Sequence, residues 1–337
     1  MRITKGARRV VTVALAGLLA AALTSCSSDE SGSSGDNIRV AVTTGTTSAE
    51  IAAAKNYFQA QNLTVQISTL ATGTETIAAV QGGSADIAYA DTFAAVNAIS
   101  NGFDIELVAG ANHTSPAVSY LVRADSDIRE PRDLVGKSLG IGGVPFFRVF
   151  ANGFFEQNRI DPASVKFNVI RQSNALPEAL ANGAVDAIQT LGYQVAYLND
   201  GVGHRFRTVG NPDTSAFQNP KAMQAGWWTS KKWGERNADA AQRFADGYRA
   251  FAAWYNAASV DERSDLSAQY NKIDYRATAG GDQKKLDNLA FATIARYIDA
   301  PVDLVATQEW IDKGAAVAPD QVPGGVALSG HVLPSAS

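Results

Sequence analysis

The sequence predicts an α/β protein built as two lobes, each a mostly parallel sheet with helices on its faces. Short β-rich runs alternate with helical patterns from Ile38 onward, the order that a parallel sheet with crossover helices requires. The alternation restarts at Ser138. A third observation links the two runs: Ala79-Val80-Gln81-Gly82-Gly83-Ser84-Ala85-Asp86 lines up with Ala179-Leu180-Ala181-Asn182-Gly183-Ala184-Val185-Asp186. Both segments read as a helix end, a glycine cap and an aspartate entering a strand.

Each element follows from its local pattern. Ile38–Val42 is nearly all apolar and reads as a buried strand. The hydroxyl-rich loop Thr43–Ser48 follows, then a helix with Ile51, Ala54, Tyr57 and Phe58 on one face. Thr47 and Glu50 have capping-box spacing at its start. Leu63–Ser68 is a strand, Thr74–Gln81 a helix stopped by Gly82-Gly83, and Asp86–Ala90 a strand. Asp91–Asn101 is a helix ended by Gly102, and Ile105–Ala109 another strand.

In the second run Ser138–Gly142 is a strand, Phe146–Gln157 a helix and Val165–Ile170 a strand. Ala175–Asn182 is a helix closed by Gly183, and Asp186–Gln189 a strand. Asp86 and Asp186 read as turn carboxylates bonded to nearby amides. From about Gln224 amphipathic helices are expected, the first at Lys232–Asn256. Its stripe of Phe244, Tyr248, Phe251, Trp254 and Tyr255 reads as core. Further helices are expected at Asp261–Tyr270, Gln283–Tyr297 and Pro301–Lys313, and a loosely ordered tail from Ala318.

Arg2, Lys5, Arg8 and Arg9 precede an apolar run, Val10–Leu23, of signal-peptide length and too short to span a bilayer comfortably. Leu23-Thr24-Ser25-Cys26 resembles the lipobox of bacterial lipoproteins. That resemblance implies cleavage before Cys26 and acylation of its thiol, which anchors the protein to the membrane. Residues 1–25 are therefore expected to be a signal peptide, and residues 26–37 a lipidated flexible tether, polar and rich in Gly and Ser.

Charge and composition exclude several classes. Four of the 29 Lys+Arg and none of the 33 Asp+Glu precede Cys26, so the remainder carries 25 against 33, a formal charge of −8. A net acidic chain without a basic run argues against nucleic-acid binding. With Cys26 acylated, no thiol remains for a disulfide, a metal site or a nucleophile, because it is the only cysteine. His113, His204 and His331 lack zinc spacing, and neither a phosphate loop nor a nucleophile elbow is present. No metal, cofactor or enzymatic activity is expected.

The motifs, in order, resemble the periplasmic-binding-protein superfamily in its sulfonate/nitrate/taurine and thiamine-precursor branch. They are Gln59–Leu63 with Val65-Gln66-Ile67, then Gly73-Thr74-Glu75, Ala79–Asp86 and Ala90-Asp91-Thr92, then Asp133–Ile141 (DLVGKSLGI) and Ala179–Ala187. The resemblance covers about residues 38–297 and implies the type II two-lobe fold with two crossover segments. Lobe one would comprise 38–114 and 224–337, and lobe two 115–223. It further implies a monomeric receptor that passes a small molecule to the permease and ATPase of an ABC importer. A small organic anion is the expected solute, an alkyl or aryl sulfonate first and an aromatic carboxylate next. The alternatives are a thiamine-type pyrimidine precursor, or a ligand-sensing lipoprotein without transport. Some relatives synthesise a pyrimidine with a cysteine-rich motif, which this chain has no cysteine to supply.

In such a fold, loops at the C-terminal ends of parallel strands meet helix N-termini, whose free amides favour anions. Thr44, Thr46, Thr47 and Ser48 take that position in the first loop, Thr74 and Glu75 in the second, Asp91 and Thr92 in the third. Asp91 and Glu75 would favour a solute with amino or hydroxyl donors, and Asp91 also suits an N-cap. In lobe two, Val144, Phe146, Phe147 and Arg148 replace the small polar residues usual in the sulfonate branch. They either frame an aromatic anion, with Arg148 pairing bidentately, or send one Phe into the core and Arg148 to solvent. Tyr193, Trp227 and Trp228 offer stacking surfaces, and His113 near the first crossover either touches the solute or is structural.

Overall fold

The computed structural model describes residues 37–113, 118–171, 175–190, 198, 205–209, 219–292 and 297–337. The expected leader, Cys26, most of the tether and Tyr193 lie outside the described residues.

The first apolar run forms strand β1 (Asn37–Thr43), with Ile38, Val40, Ala41 and Val42 buried. It pairs in parallel with β2 (Thr64–Leu70) and β3 (Ile87–Asp91). Helices α1 (Ser48–Ala54) and α2 (Gly73–Gln81) lie between these strands in the chain, and α3 (Thr92–Ser100) leads on to β4 (Ile105–His113). The second sheet takes β5 (Ser119–Arg123), β6 (Ser138–Gly142), β7 (Lys166–Ile170), β8 (Ala187–Thr190) and β9 (Phe206–Thr208). Its helices are α4 (Pro145–Gln157) and α5 (Leu176–Ala181). The chain then returns to the first sheet as β10 (Met223–Ser230).

The sheet orders are β2-β1-β3-β10-β4 and β7-β6-β8-β5-β9. They are the same arrangement twice: three parallel strands, one antiparallel strand, then an edge strand beyond it. Asp86 and Asp186 sit at equivalent points. Asp86 Oδ2 accepts the Arg39 amide of β1 at 2.8 Å, and Asp186 Oδ2 accepts the Ser138 amide of β6 at 2.8 Å.

Strand β10 corrects one expectation. Its residues were expected to mark a crossover and the onset of helices, with one of Trp227 and Trp228 in the core and the other offered to the cleft. Instead both indoles are fully buried in a central strand. Neighbouring strand residues point to opposite faces, so Trp227 fills the core on one side of the sheet and Trp228 the core on the other. Trp227 meets Tyr248, Phe244 and Tyr89 edge-on at 5.1, 5.3 and 5.5 Å. Neither ring has a face left for a solute.

Past β10 come α6 (Lys231–Arg236), α7 (Ala238–Ala257), α8 (Val260–Leu266), a π-helical turn at Ser267–Asn271, α9 (Tyr275–Ala279), α10 (Gln283–Ala292) and α11 (Leu304–Val317). The single helix expected at Lys232–Asn256 is interrupted at Asn237, which ends α6 and starts α7 and whose Nδ2 donates to Trp233 O at 2.9 Å. The aromatic stripe of α7 is core, as its spacing predicts: Phe244, Tyr248 and Phe251 are fully buried, and Phe244 stacks on Phe58 at 4.9 Å.

The tail is docked rather than loose. The Leu107 amide donates to His331 O at 2.8 Å, the Leu333 amide to Leu107 O at 2.9 Å, and Ser335 Oγ to Val108 O at 2.8 Å. β4 is the edge of its sheet, and the tail satisfies backbone groups that would otherwise lie open. Proline and glycine content carries no information about such a distant partner.

Helix α11 also joins the lobes. Trp310 stacks on Phe93 of α3 at 4.2 Å and lies 6.5 and 6.4 Å from Phe146 and Phe150 of α4. Asn152 Nδ2 donates to Val317 O at 2.9 Å. One apolar cluster therefore runs through both lobes.

Candidate functional site

Strand register locates the cleft. Met223 at the start of β10 lies opposite His113, and Ala225 opposite Asp91. Ser119 at the start of β5 lies opposite Thr190. Both connections between the sheets, from His113 to Val118 and from Val209 to Asn219, thus join the same ends of the two sheets. Those are the C-terminal ends of the parallel strands, so the strand ends at Thr43, Leu70, Asp91, Gly142, Ile170 and Thr190 face the gap between the lobes.

The first loop is a lattice of hydroxyls. Thr43 Oγ1 and Thr46 Oγ1 share a hydrogen bond at 2.8 Å, and the Thr44 amide donates to Leu70 O at 3.0 Å. Thr47 Oγ1 donates to Asn271 Oδ1 at 2.9 Å. That bond explains why the capping box expected of Thr47 and Glu50 does not form: α1 begins with no side-chain cap, because its hydroxyl is engaged with the π-helical turn. Ser48 is buried at the first position of α1.

A side-chain cap forms instead one loop further on. Thr72 Oγ1 accepts the Glu75 amide at 3.2 Å, and the Glu75 carboxylate reaches back to the Ala71 amide at 2.9 Å. Glu75 is thereby engaged with backbone, and Thr74 is exposed beside it.

Asp91 behaves differently. Its Oδ1 caps α3 by accepting the Ala94 amide at 3.0 Å. The residue as a whole is only part-buried, but Oδ2 is shielded from solvent and receives no hydrogen bond from the protein. Gly73 lies near this oxygen, where an added methyl would sit in ordinary van der Waals contact at 3.5 Å. Desolvation pushes the carboxyl up to about 6, against the opposing pull of the Ala94, Phe93 and Asp91 amides. Thr92 beside it is fully buried and its Oγ1 donates to Met223 O at 2.7 Å. His113 ends β4, half-buried.

In lobe two, α4 opens at Pro145 with Val144 as its N-cap, so no side chain caps its amides. Pro145 is suited to the first turn, where its missing amide costs nothing. Phe146 and Phe147 are buried, Phe146 lying 4.4 Å from Phe150. The Arg148 guanidinium sits 3.5 Å over the Phe167 ring. Phe167 pairs with Leu139, three residues below the Gly142 end of β6, which is roughly 10 Å down from the cleft floor at a strand rise of about 3.3 Å per residue. Burial pulls the Arg148 pKa down, and the Asp320 carboxylate opposes it. The expected aromatic frame with a bidentate arginine is therefore corrected: the helix turns these side chains into the body of the protein.

Two residues at the cleft were not expected. Arg171 is exposed at the C-terminal end of β7, against Gly143, where a methyl would lie 3.3 Å from Arg171 Cα. Its position directly after a predicted strand was the available signal. Asn271 has no local signal, because it reaches Thr47 from a remote helix turn. A shallow polar hollow of about 320 Å³ between Glu130–Arg132 and Gln157–Arg159 lies at the opposite end of α4 and belongs to neither crossover. Among the described residues, no group of three or more His, Cys, Asp or Glu is placed to hold a metal ion, and no helix is long and apolar enough to cross a membrane.

Two similar lobes, two crossovers and a cleft of loops at strand ends define the type II periplasmic-binding-protein fold. Solved structures share it. The aliphatic sulphonate binding protein SsuA from Escherichia coli has a TM-score of 0.67 at 14% identity, covering 90% of this chain and 99% of its own. The alkanesulfonate-binding protein SsuA from Xanthomonas axonopodis pv. citri, bound to MOPS, has a TM-score of 0.66 at 15% identity, covering 88% and 98%. The ligand-binding component of an ABC-type import system from Staphylococcus aureus, with zinc bound, has a TM-score of 0.66 at 16% identity, covering 90% and 99%. The chain belongs to the NMT1/THI5 like family, which matches residues 44–257. No curated protein matches it.

Proposed function

We propose that this protein is the extracytoplasmic solute-binding receptor of an ABC importer and takes a small organic anion into the cleft. An alkyl or aryl sulfonate is the first class of solute, an aromatic carboxylate the second. The observation that carries the reading is the start of α4. This helix of 13 residues begins at the cleft with no side-chain cap, and Arg171 stands beside its first turn. The corresponding starts of α2 and α3 are already occupied by Thr72 and Asp91. The positive end of a helix that no side chain caps, with a guanidinium at hand, suits an oxyanion. The Thr43–Thr46 hydroxyl pair, whose shared bond uses one of its two protons, supplies a donor from the other lobe.

The names of the Escherichia and Xanthomonas neighbours support the sulfonate class. A solute held by one lobe draws the other over it, and the closed form is what a permease and its ATPase would recognise. Acylated Cys26 would keep the protein, as a monomer, at the membrane. The solved neighbours are binding components of importers, which supports reading this chain as a binding protein and not an enzyme.

A thermal-shift screen of the purified protein tests the reading, with alkyl and aryl sulfonates, taurine, nitrate, aromatic carboxylates, thiamine pyrimidine precursors and sugars. A solute at about 100 times its Kd adds roughly 2.7 kcal/mol, several degrees of Tm. A shift with sulfonates or carboxylates is expected. A shift confined to sugars or uncharged pyrimidines would overturn the anion reading.

A further inference from the structure

Helices α1, α2 and α3 all start at the cleft, and of these α1 alone has no side-chain cap. Thr72 and Asp91 stand before α2 and α3 with extended backbone, at ψ 158° and 152°, and each accepts an amide of its helix. Thr47 stands before α1 with Glu50 three residues on, the spacing a capping box needs. Its backbone is turned instead to φ −107° and ψ −3°, and its side chain caps nothing. Capping requires an extended residue at this place, so local sequence favours one form of the loop and the structure holds another. The holding group is remote in the chain. Asn271 Oδ1 accepts the Thr47 hydroxyl at 2.9 Å from the last position of the π-helical turn Ser267–Asn271. Single π-helical turns are found mostly at functional sites, and this one ends on Lys272 in the left-handed region, at φ 60°. The same stretch of chain also meets the far end of α1, where Lys55 Nζ lies 3.3 Å from Glu262 Oε1 of α8.

We propose that Asn271 is a positioning residue of the solute site: by keeping Thr47 from capping α1, it holds the first cleft loop in the form that presents the Thr43–Thr46 hydroxyl pair. The link to the solute rests on the anion reading above. Thr46 is the neighbour of Thr47, its hydroxyl 2.8 Å from that of Thr43 and its amide donating to Thr43 O at 2.9 Å. Released from Asn271, Thr47 swings from ψ −3° toward the extended values of the two capped starts. Its hydroxyl then accepts the Glu50 amide. That rotation re-aims the chain before Thr47 relative to α1, and the hydroxyl pair moves with it. One hydrogen bond replaces another, so the loop is a two-state element whose balance Asn271 sets at little cost to overall stability.

The test reads the loop and the solute separately. Asn271→Ala removes the acceptor. In the free protein, hydrogen exchange at the Glu50 amide, followed by NMR, is expected to slow about fivefold, the protection of one N-cap bond. Tm should change little, whereas loss of a merely structural bond would lower Tm and speed exchange. Affinity for butanesulfonate, by titration calorimetry, is expected to fall about fivefold, because the capped form must be undone before the solute binds. Asn271→Asp keeps an accepting oxygen and is expected to restore wild-type exchange at Glu50. Glu262→Ala breaks the other link to α1 and is expected to change neither reading. Unchanged or faster exchange in Asn271→Ala would overturn the hold on Thr47. Slowed exchange with unchanged affinity would overturn the role in solute binding and leave the anion reading in place. Binding of no acid by the wild-type protein would overturn the anion reading, while exchange at Glu50 still decides what Asn271 does to the loop.

Discussion

Arg39 and Asp86 form a three-point junction between neighbouring strands. The guanidinium reaches both carboxylate oxygens, Nη2 to Oδ1 at 2.7 Å and Nε to Oδ2 at 3.1 Å, and the Arg39 amide donates to Oδ2 at 2.8 Å. The Asp86 side chain is fully buried and that of Arg39 about one-third exposed. In the other lobe Asp186 holds Ser138 through the amide at 2.8 Å and the hydroxyl at 2.7 Å, in an exposed setting. Asp86→Ala strands a half-buried guanidinium and an amide, and should cost about 2–4 kcal/mol. Asp186→Ala should cost about 1 kcal/mol. Urea denaturation of both variants checks the order, and equal losses would show that burial does not set the difference.

Asp91 makes stability depend on pH. Its folded pKa is raised from 3.8 to about 6, so between those values the folded protein holds more protons than the unfolded chain. Stability from this group is full below about pH 4 and lost as pH rises through 6. A shift of this size corresponds to about 2–3 kcal/mol. Asp91→Asn, which cannot ionise and can still cap α3, should therefore melt above the wild type at pH 7.5 and converge on it by pH 4. A difference in Tm that stays constant across that range would show that Oδ2 is not desolvated.

These residues also show what was legible in the sequence. The parallel strands and their helices were, because hydrophobic periods of 2 and 3.6 are local properties. The antiparallel members were not. β10 is apolar with no period, being buried on both faces, and its partners Asp91 and His113 lie far earlier in the chain. The site divides in the same way. Thr47 and Thr72 both precede a glutamate by three residues, yet only Thr72 caps its helix, because Asn271 takes the hydroxyl of Thr47. That Asp91 caps a helix is readable from its place before Thr92, whereas the shielding of Oδ2 is a matter of tertiary packing that no local pattern records. Arg148 sits at a helix start in sequence, but the rotation of α4 carries it onto Phe167.

The two arginines of lobe two should therefore separate. Arg171→Ala removes a cation beside the start of α4 and is expected to weaken solute binding about tenfold, with little effect on folding. Arg148→Ala removes the guanidinium over Phe167 and is expected to lower stability by about 1 kcal/mol while leaving affinity unchanged. Calorimetric titration and urea denaturation of both variants give the four numbers. The reverse pattern would restore Arg148 as the residue that meets the solute.

Cys26→Ala should leave solute affinity unchanged and move the protein from the membrane to the soluble fraction, as loss of the acyl anchor requires. Membrane fractionation of cells expressing the two forms decides it, and a variant still in the membrane would rule out anchoring through Cys26.

The last seven residues should keep the sheet edge from pairing with other copies. Residues 331–337 supply the acceptor for the Leu107 amide, the donor for Leu107 O and the hydroxyl for Val108 O. Leu107 and Val108 are themselves fully buried, so the strand beneath this cover is apolar as well as unpaired once it is removed. An open, apolar edge strand recruits other edges. Deleting 331–337 removes these three hydrogen bonds and should thus lower stability by about 2–4 kcal/mol, at roughly 1 kcal/mol each, and yield concentration-dependent oligomers. Ser335→Ala removes one hydroxyl bond while keeping the backbone cover, so it should cost about 1 kcal/mol and stay monomeric. Light scattering after size-exclusion chromatography separates the two variants. A deletion that remains monomeric at high concentration would show that something other than the tail protects β4.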